Sequence, residues 1–240
     1  MSVSPITQAQ YVAVTGKANP SSFDSGANAP NRPVERVSWY DALVFSNMPS
    51  MAEGKTPVYT IDGSTDPDDW GPVPTSSSNA TWDAVAMNLA ADGYRLPTDA
   101  EWMWAAMGAT SGHDYSGSGV QTTGYLKAFP GSTGSNSIYD YAWILGNSGG
   151  TTHPVGTKLP NEIGLYDMNG NVGQWVWDRW AGSAYPTGAM SDPTGPASGT
   201  ERVIRGGSWG STPGSSSVAF RGGTYPGSRF EYFGFRVVYR

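Results

Sequence analysis

RGGSWGSTPGSSSVAFRGGTYPGSRFEYFGFRVVYR, Arg205 to Arg240, governs how the rest of the chain is read. Its flanks, RVIRGGSW and FGFRVVYR, read as short apolar strands built for burial. Between them, Gly210–Phe233 holds 24 residues, of which 12 are Gly, Ser or Thr, with two arginines, one acid and no Lys, Asp, Asn or His. So plain an insert in so firm a frame is an active-site loop, a slack loop or a recognition surface.

Upstream, GLYDMNGNVGQWVWD (Gly164–Asp178) combines a tight NGN turn with a strand-like alternation, and Leu165, Trp175 and Trp177 read as inward. The spacing predicts two helices. VSWYDALVFSNM starts at a Ser38 cap with Asp41 at its third position, and Trp39, Leu43 and Val44 face inward. YRLPTDAEWMWAAMGA carries a Thr98/Glu101 capping box after Pro97 and a stop at Gly108, with Trp102, Ala105 and Ala106 inward. Thr81–Ala90 fits helix or strand equally. Asp62–Asn79, acidic and broken by prolines, reads as a surface excursion. Ser111–Gly150 lacks periodicity, but its aromatics imply packing. With no repeat and no dividing linker, residues 1–240 read as one domain.

Composition narrows the function. The chain has 14 Lys and Arg against 20 Asp and Glu, a net charge of −6, and no basic cluster, which excludes a nucleic-acid partner. Ten Trp, 13 Tyr and 7 Phe carry too much apolar area for a disordered chain. The absence of cysteine excludes disulfides, thiolate catalysis and Cys-ligated metal within these residues. No run approaches the ~20 apolar residues that span a bilayer. MSVSPITQAQ has neither the charged nor the apolar region of a signal peptide.

Catalytic motifs weigh little. GGSWG (Gly206–Gly210) satisfies the nucleophile-elbow pattern, but STPGSSS cannot form the helix that must follow, so a packed strand end is the better reading. His113 and His153 lack ligand-spaced partners and read as ordinary loop histidines. Asp66, Asp68 and Asp69 are interrupted by Pro67 and read as a solvated loop rather than a calcium loop. NGNVGQW reads equally as a calcium turn of neutral oxygens and as a metal-free turn. Asn79 begins an N-A-T triplet of the glycosylation type.

Taken in order, PITQAQYVAVTGKANPSSF, PVERVSWYDALVFSN, DGYRLPTDAEWMWAA, HPVGTKLPNEIGLYDMNGNVGQWVWD, RVIRGGSW and FGFRVV resemble the formylglycine-generating (sulfatase-modifying-factor) family across nearly the whole chain. The resemblance implies an α+β, C-type-lectin-like fold: two helices, small twisted antiparallel sheets and much irregular structure. The family oxidises a sulfatase cysteine with a cysteine pair of its own and copper. The corresponding interval here is GSTPGSSSV, with Val218 just before Ala219-Phe220-Arg221, and no Ser or Val supplies a thiolate. The enzyme reading is rejected on that ground. The resemblance also implies a structural calcium ion at Asn171, Val172 and Gln174, although the family's W-E-W stands here as Gly173-Gln174-Trp175.

The chain is most similar to the variable proteins of bacterial diversity-generating retroelements, treponemal surface proteins among them. The resemblance implies that a region at about 205–238 is rewritten by mutagenesis directed at adenines. Every residue of Gly210–Phe233 except Glu231 is reachable from an AAY codon in that way. Gly, Ser and Tyr with a few Phe and Arg is also the make-up of antibody paratopes. Phe220, Tyr225, Phe230 and Tyr232 are the expected anchors, with Gly210, Ser211, Ser215, Ser217 and Gly222 shaping the surface between them. Arg221, Arg229 and Arg236 are expected to hold the frame. The expectation is a non-enzymatic, monomeric binding protein with a protein or cell-surface ligand; the resemblance implies a place outside the cell, as the mature part of a lipoprotein. The alternatives are a silent paralogue or oxidase of the family, and a calcium-dependent lectin, for which the E-P-N or Q-P-D tripeptide is absent.

Overall fold

The computed structural model describes residues 1–110, 112, 114, 116, 119, 121–182 and 190–240, so His113 lies outside the described residues. In chain order the elements are α1 (Gln8–Thr15), α2 (Trp39–Ala52), β1 (Tyr59–Thr60), α3 (Ala80–Asp83), β2 (Ala86–Met87), α4 (Asp99–Ala106), β3 (Gly173–Arg179), β4 (Arg202–Arg205), β5 (Arg221–Thr224) and β6 (Phe233–Phe235). Both expected helices form with their boxes closed: the Ser38 side chain accepts from Asp41 N and the Thr98 side chain from Glu101 N. Two helices beyond those expected are present. α1 starts at its own box, Thr7 with Gln10, and α3 is a single turn capped by the Asn79 side chain. The ambiguous Thr81–Ala90 therefore contains both states, since β2 follows α3 and pairs with β1.

The larger sheet runs β5-β4-β3-β6. β3 pairs antiparallel with β4 and β4 with β5, but β3 pairs parallel with β6, which corrects the expectation of purely antiparallel sheets. A parallel pair needs a long crossover, and the whole segment between β3 and β6 supplies it. The framed insert is consequently woven into the sheet through β5.

Two hydrophobic clusters hold these elements. In the first, α2 packs Trp39, Leu43 and Phe45 against β3 and β6. The Trp39 indole donates to Val176 O at 2.9 Å, the Trp175 indole donates to Val37 O at 2.9 Å, and Phe45 meets Phe235 at 5.1 Å. The second gathers Trp102, Ala105 and Ala106 of α4 with Leu165, Val176, Val203 and Val218. Trp177, expected inside, stays half-buried and stacks on Tyr59. The Asp62–Asn79 excursion is anchored, because Trp70 is buried edge-on against Trp82.

Candidate ligand surface

The frame is built from buried charge as well as apolar contact. Asp99, at the first position of α4, receives the Nε of both Arg205 and Arg221 at 2.7 Å. One carboxylate thus ties β4 and β5 to the start of a helix, where the dipole also favours an anion. Asp178 lies beside it and accepts Asp99 N at 2.7 Å; burial first, then the neighbouring Asp99 charge, push its carboxyl up to about 7. Arg229 donates to Asp41 Oδ2 at 2.9 Å and to Pro74 O at 3.0 Å, joining the insert to the α2 cap. Arg236 is fully buried and donates to Gln174 Oε1, Tyr166 O, Asp167 O and Ser2 O. Arg221, Arg229 and Arg236, expected to hold the frame, do so together with Arg205.

On that frame Gly210–Phe233 separates by direction. Ser216 and Val218 have no exposed surface, and Pro226 and Gly227 are buried. None of the nine residues expected to bind is buried. Phe220, Tyr225 and Phe230 are 36%, 46% and 45% exposed, Gly210 is exposed, and Ser211, Ser215, Ser217, Gly222 and Tyr232 are half-buried. Phe230 and Tyr232 stack at 5.2 Å with rings 2° apart, but they lie in the turn before β6, closed by Phe233 N donating to Phe230 O at 3.1 Å, so the turn and not strand alternation brings the rings together. Phe235 is fully buried, and Phe233 packs on Trp175 at 5.4 Å.

The same face includes residues that nothing in the sequence pattern marked. The Trp209 indole donates to Glu231 O at 3.0 Å, and its ring meets Phe23 edge-on at 5.6 Å. Leu145, 61% exposed, donates its N–H to Ser211 O at 3.0 Å. Arg36, exposed and at φ 58°, donates its N–H to Phe230 O at 3.1 Å. Only tertiary pairing brings these segments beside the insert. Beneath Phe23 lies Glu35, with no exposed surface; burial pushes its carboxyl up to about 7 even though Phe23 N donates to Oε1 at 2.8 Å.

Two sequence motifs settle into the frame. Ser208 of the elbow pattern is buried, its neighbour Ser211 lies within 3.4 Å, and a 3-10 turn at Gly214–Ser216 stands where a helix would have to start. His153 stacks on Trp143 at 3.8 Å and places Nε2 2.7 Å from Ser148 O, an ordinary loop role.

The residues of the expected calcium turn do not suit the ion. Gln174 Oε1 accepts from the Trp102 indole at 2.8 Å and from the Arg236 guanidinium at 2.7 Å, so a cation there would face a fixed positive charge. Asn171 Oδ1 accepts His153 N at 3.0 Å, and Val172 is fully buried. Where the family has a carboxylate, Gln174 presents an amide oxygen that the Arg236 guanidinium already occupies. Among the described residues, no group of three His, Cys, Asp or Glu is placed to hold a metal.

Comparison with known proteins places this geometry. The family described as sulfatase-modifying factor enzyme 1-like domain matches residues 1–240. Chaperone protein LppX of Paenibacillus barcinonensis is 36% identical over 220 residues, covering 90% of this chain and 71% of that protein. The formylglycine-generating enzyme of Thermomonospora curvata is 31% identical over 206 residues, covering 83% of this chain; the chain spans 52% of that enzyme's length. Among solved structures, Treponema denticola variable protein 1 superposes with a TM-score of 0.81 at 38% identity, covering 98% of this chain and 81% of that one. CarF superposes at 0.68 with 27% identity, covering 98% and 83%.

Proposed function

The chain belongs to the sulfatase-modifying factor enzyme 1-like domain family, and from that premise we propose that it is a non-enzymatic binding member displaying a replaceable surface on a C-type-lectin-like frame. One observation carries the reading: none of the nine small and aromatic residues of Gly210–Tyr232 is buried, and Gly210, Phe220, Tyr225 and Phe230 are exposed, whereas Ser216, Val218, Pro226 and Gly227 of the same segment are buried. Large, rigid aromatics separated by small polar residues give contact area at low entropic cost. The chain has no thiolate with which to bind copper or handle oxygen. A patch of exposed aromatics among small polar residues fits a protein or other cell-surface ligand, and the site of action is outside the cell. Likeness to a variable protein and to a protein named as a chaperone supports a binding role.

The test randomises Gly210, Ser211, Ser215, Ser217, Phe220, Gly222, Tyr225, Phe230 and Tyr232 together in a displayed library. Most members should melt within about 5 °C of the parent, as surface substitutions do, and selection against unrelated purified proteins should yield binders that differ only at these positions. A library that is mostly unfolded overturns the reading. So does conversion of the cysteine in a sulfatase-motif peptide by the parent protein with copper, followed by mass spectrometry.

A further inference from the structure

Glu35 lies under one edge of the ligand surface and is joined to that surface on two sides. On the first, the Phe23 N–H donates to Glu35 Oε1, and the Phe23 ring stands edge-on against Trp209, whose indole donates to Glu231 O. On the second, the next residue, Arg36, donates its N–H to Phe230 O from a backbone at φ 58°, a conformation that costs an arginine energy. The carboxyl is poorly supplied for a charge. Oε2 is buried without a hydrogen bond, and the Ser22 N–H adds a weaker pull than that of Phe23. The charged side chains on the segments around it are Arg36, Asp24 beside Phe23, and Glu231 of the insert, all exposed; α1, which reaches the turn through Gln8, carries no charge. The Arg36 guanidinium is turned to Ser22 Oγ at 3.3 Å.

An ionised carboxylate can accept at both oxygens, and a buried one short of donors is costly. The cover over Glu35 is uneven. Val34 and Val37, on either side of it in the chain, are fully buried, and the Val34 N–H donates to Ile6 O at 2.8 Å. Ser22 is exposed and Phe23 half-buried, with Gln8 Nε2 donating to Phe23 O at 3.2 Å. The thin side therefore gives way first, and it opens toward the Arg36 guanidinium. Burial has raised the carboxyl from 4.5 to about 7, so the closed arrangement belongs to the neutral form. Opening is suppressed in full below 4.5, gains about tenfold per pH unit up to about 7, and levels off above it.

We propose that Glu35 is a pH-sensitive latch on this edge of the ligand surface: protonated, it holds Phe23 against Trp209, and ionised, it releases Phe23 and loosens the edge. The purpose of such a latch rests on the reading of Gly210–Tyr232 as a binding surface; a ligand that covers Phe23 and Trp209 then binds more tightly in acid and takes up a proton as it does so. Amide hydrogen exchange, followed by NMR on the full chain from pH 5 to pH 8, tests the latch without a ligand, each rate being divided by that of the unstructured amide at the same pH. The Phe23 opening constant should rise by about tenfold or more between pH 5 and pH 7.5 and level off by pH 8. The Val34 amide, one residue from Glu35 on the closed side, should open at least about tenfold less at every pH. The Trp209 indole signal should shift over the same interval, and Glu35→Gln should make both responses flat. A Phe23 opening constant that does not change with pH, or that equals that of Val34, overturns the proposal, as does an unmoved Trp209 signal or a response that persists in Glu35→Gln. If that variant does not fold, the comparison of Phe23 with Val34 in the parent decides alone. Failure of the nine-position library would leave these exchange rates as they are, so the latch and the binding surface fail separately.

Discussion

Glu35 is buried beneath Phe23, and loss of water outweighs the backbone N–H groups of Phe23 and Ser22, so its carboxyl is moved from 4.5 to about 7. A carboxyl raised in the folded state favours folding while it stays protonated. Its contribution is whole below the unfolded value near 4.5 and is lost as pH rises through about 7. Full ionisation costs the folded state on the order of 3 kcal/mol. Glu35→Gln keeps an acceptor for Phe23 N and removes the charge. Urea unfolding at pH 5 and pH 8 should show the parent losing stability across that interval and the variant losing about 2–3 kcal/mol less. Equal losses in the two proteins would assign the effect elsewhere, Asp178 being the other carboxyl raised to about 7. Neither residue was identifiable in the sequence, because a carboxyl's environment depends on which distant segments cover it.

At the scale of elements, the legible parts were those with local signals. The capping boxes at Ser38 and Thr98 are read directly from residue type and spacing, and both helices form where they start. α1 has the same kind of box, Thr7 with Gln10, but its buried positions are Gln8, Tyr11 and Thr15, two of them polar, so no apolar periodicity marks it. β5 was invisible, since Arg221-Gly222-Gly223-Thr224 has no alternation and low strand propensity. It forms because β4 is there to pair with and because Asp99 receives Arg221 together with Arg205. Removing that shared charge takes away the carboxylate that pairs with both the Arg205 and the Arg221 guanidinium. Asp99→Asn should therefore cost about 3–5 kcal/mol in urea unfolding, the range for breaking a buried pair from one side. A loss below about 1 kcal/mol would mean that β5 is held by its ladder alone.

For the molecule as a whole, residues 210–233 are neither a free loop nor a uniform surface. The sequence delimited the segment through its two strands and suggested which side chains grip, because composition and alternation are local properties. It could not separate the outward positions from those locked against remote parts of the chain. Gly222 and Gly227 make the contrast testable with one chemistry. A Cβ at Gly222 would first meet Phe220 Cε1 at 4.0 Å, an ordinary contact, whereas a Cβ at Gly227 would collide with Ser76 O, a backbone atom. Gly227 also donates its N–H to Ser77 O at 3.1 Å, so the two strands of chain cannot separate without losing that bond. Gly222→Ala should change stability by no more than about 0.5 kcal/mol, and Gly227→Ala should cost about 1–3 kcal/mol through overpacking. Equal effects would mean that the segment moves as a loop, and the division between a replaceable face and a fixed underside would fail. The predicted difference, read as urea midpoints of the two variants, also sets a bound on diversification: positions such as Gly227 must stay constant while Gly222 varies, because the first belongs to the frame and only the second to the surface.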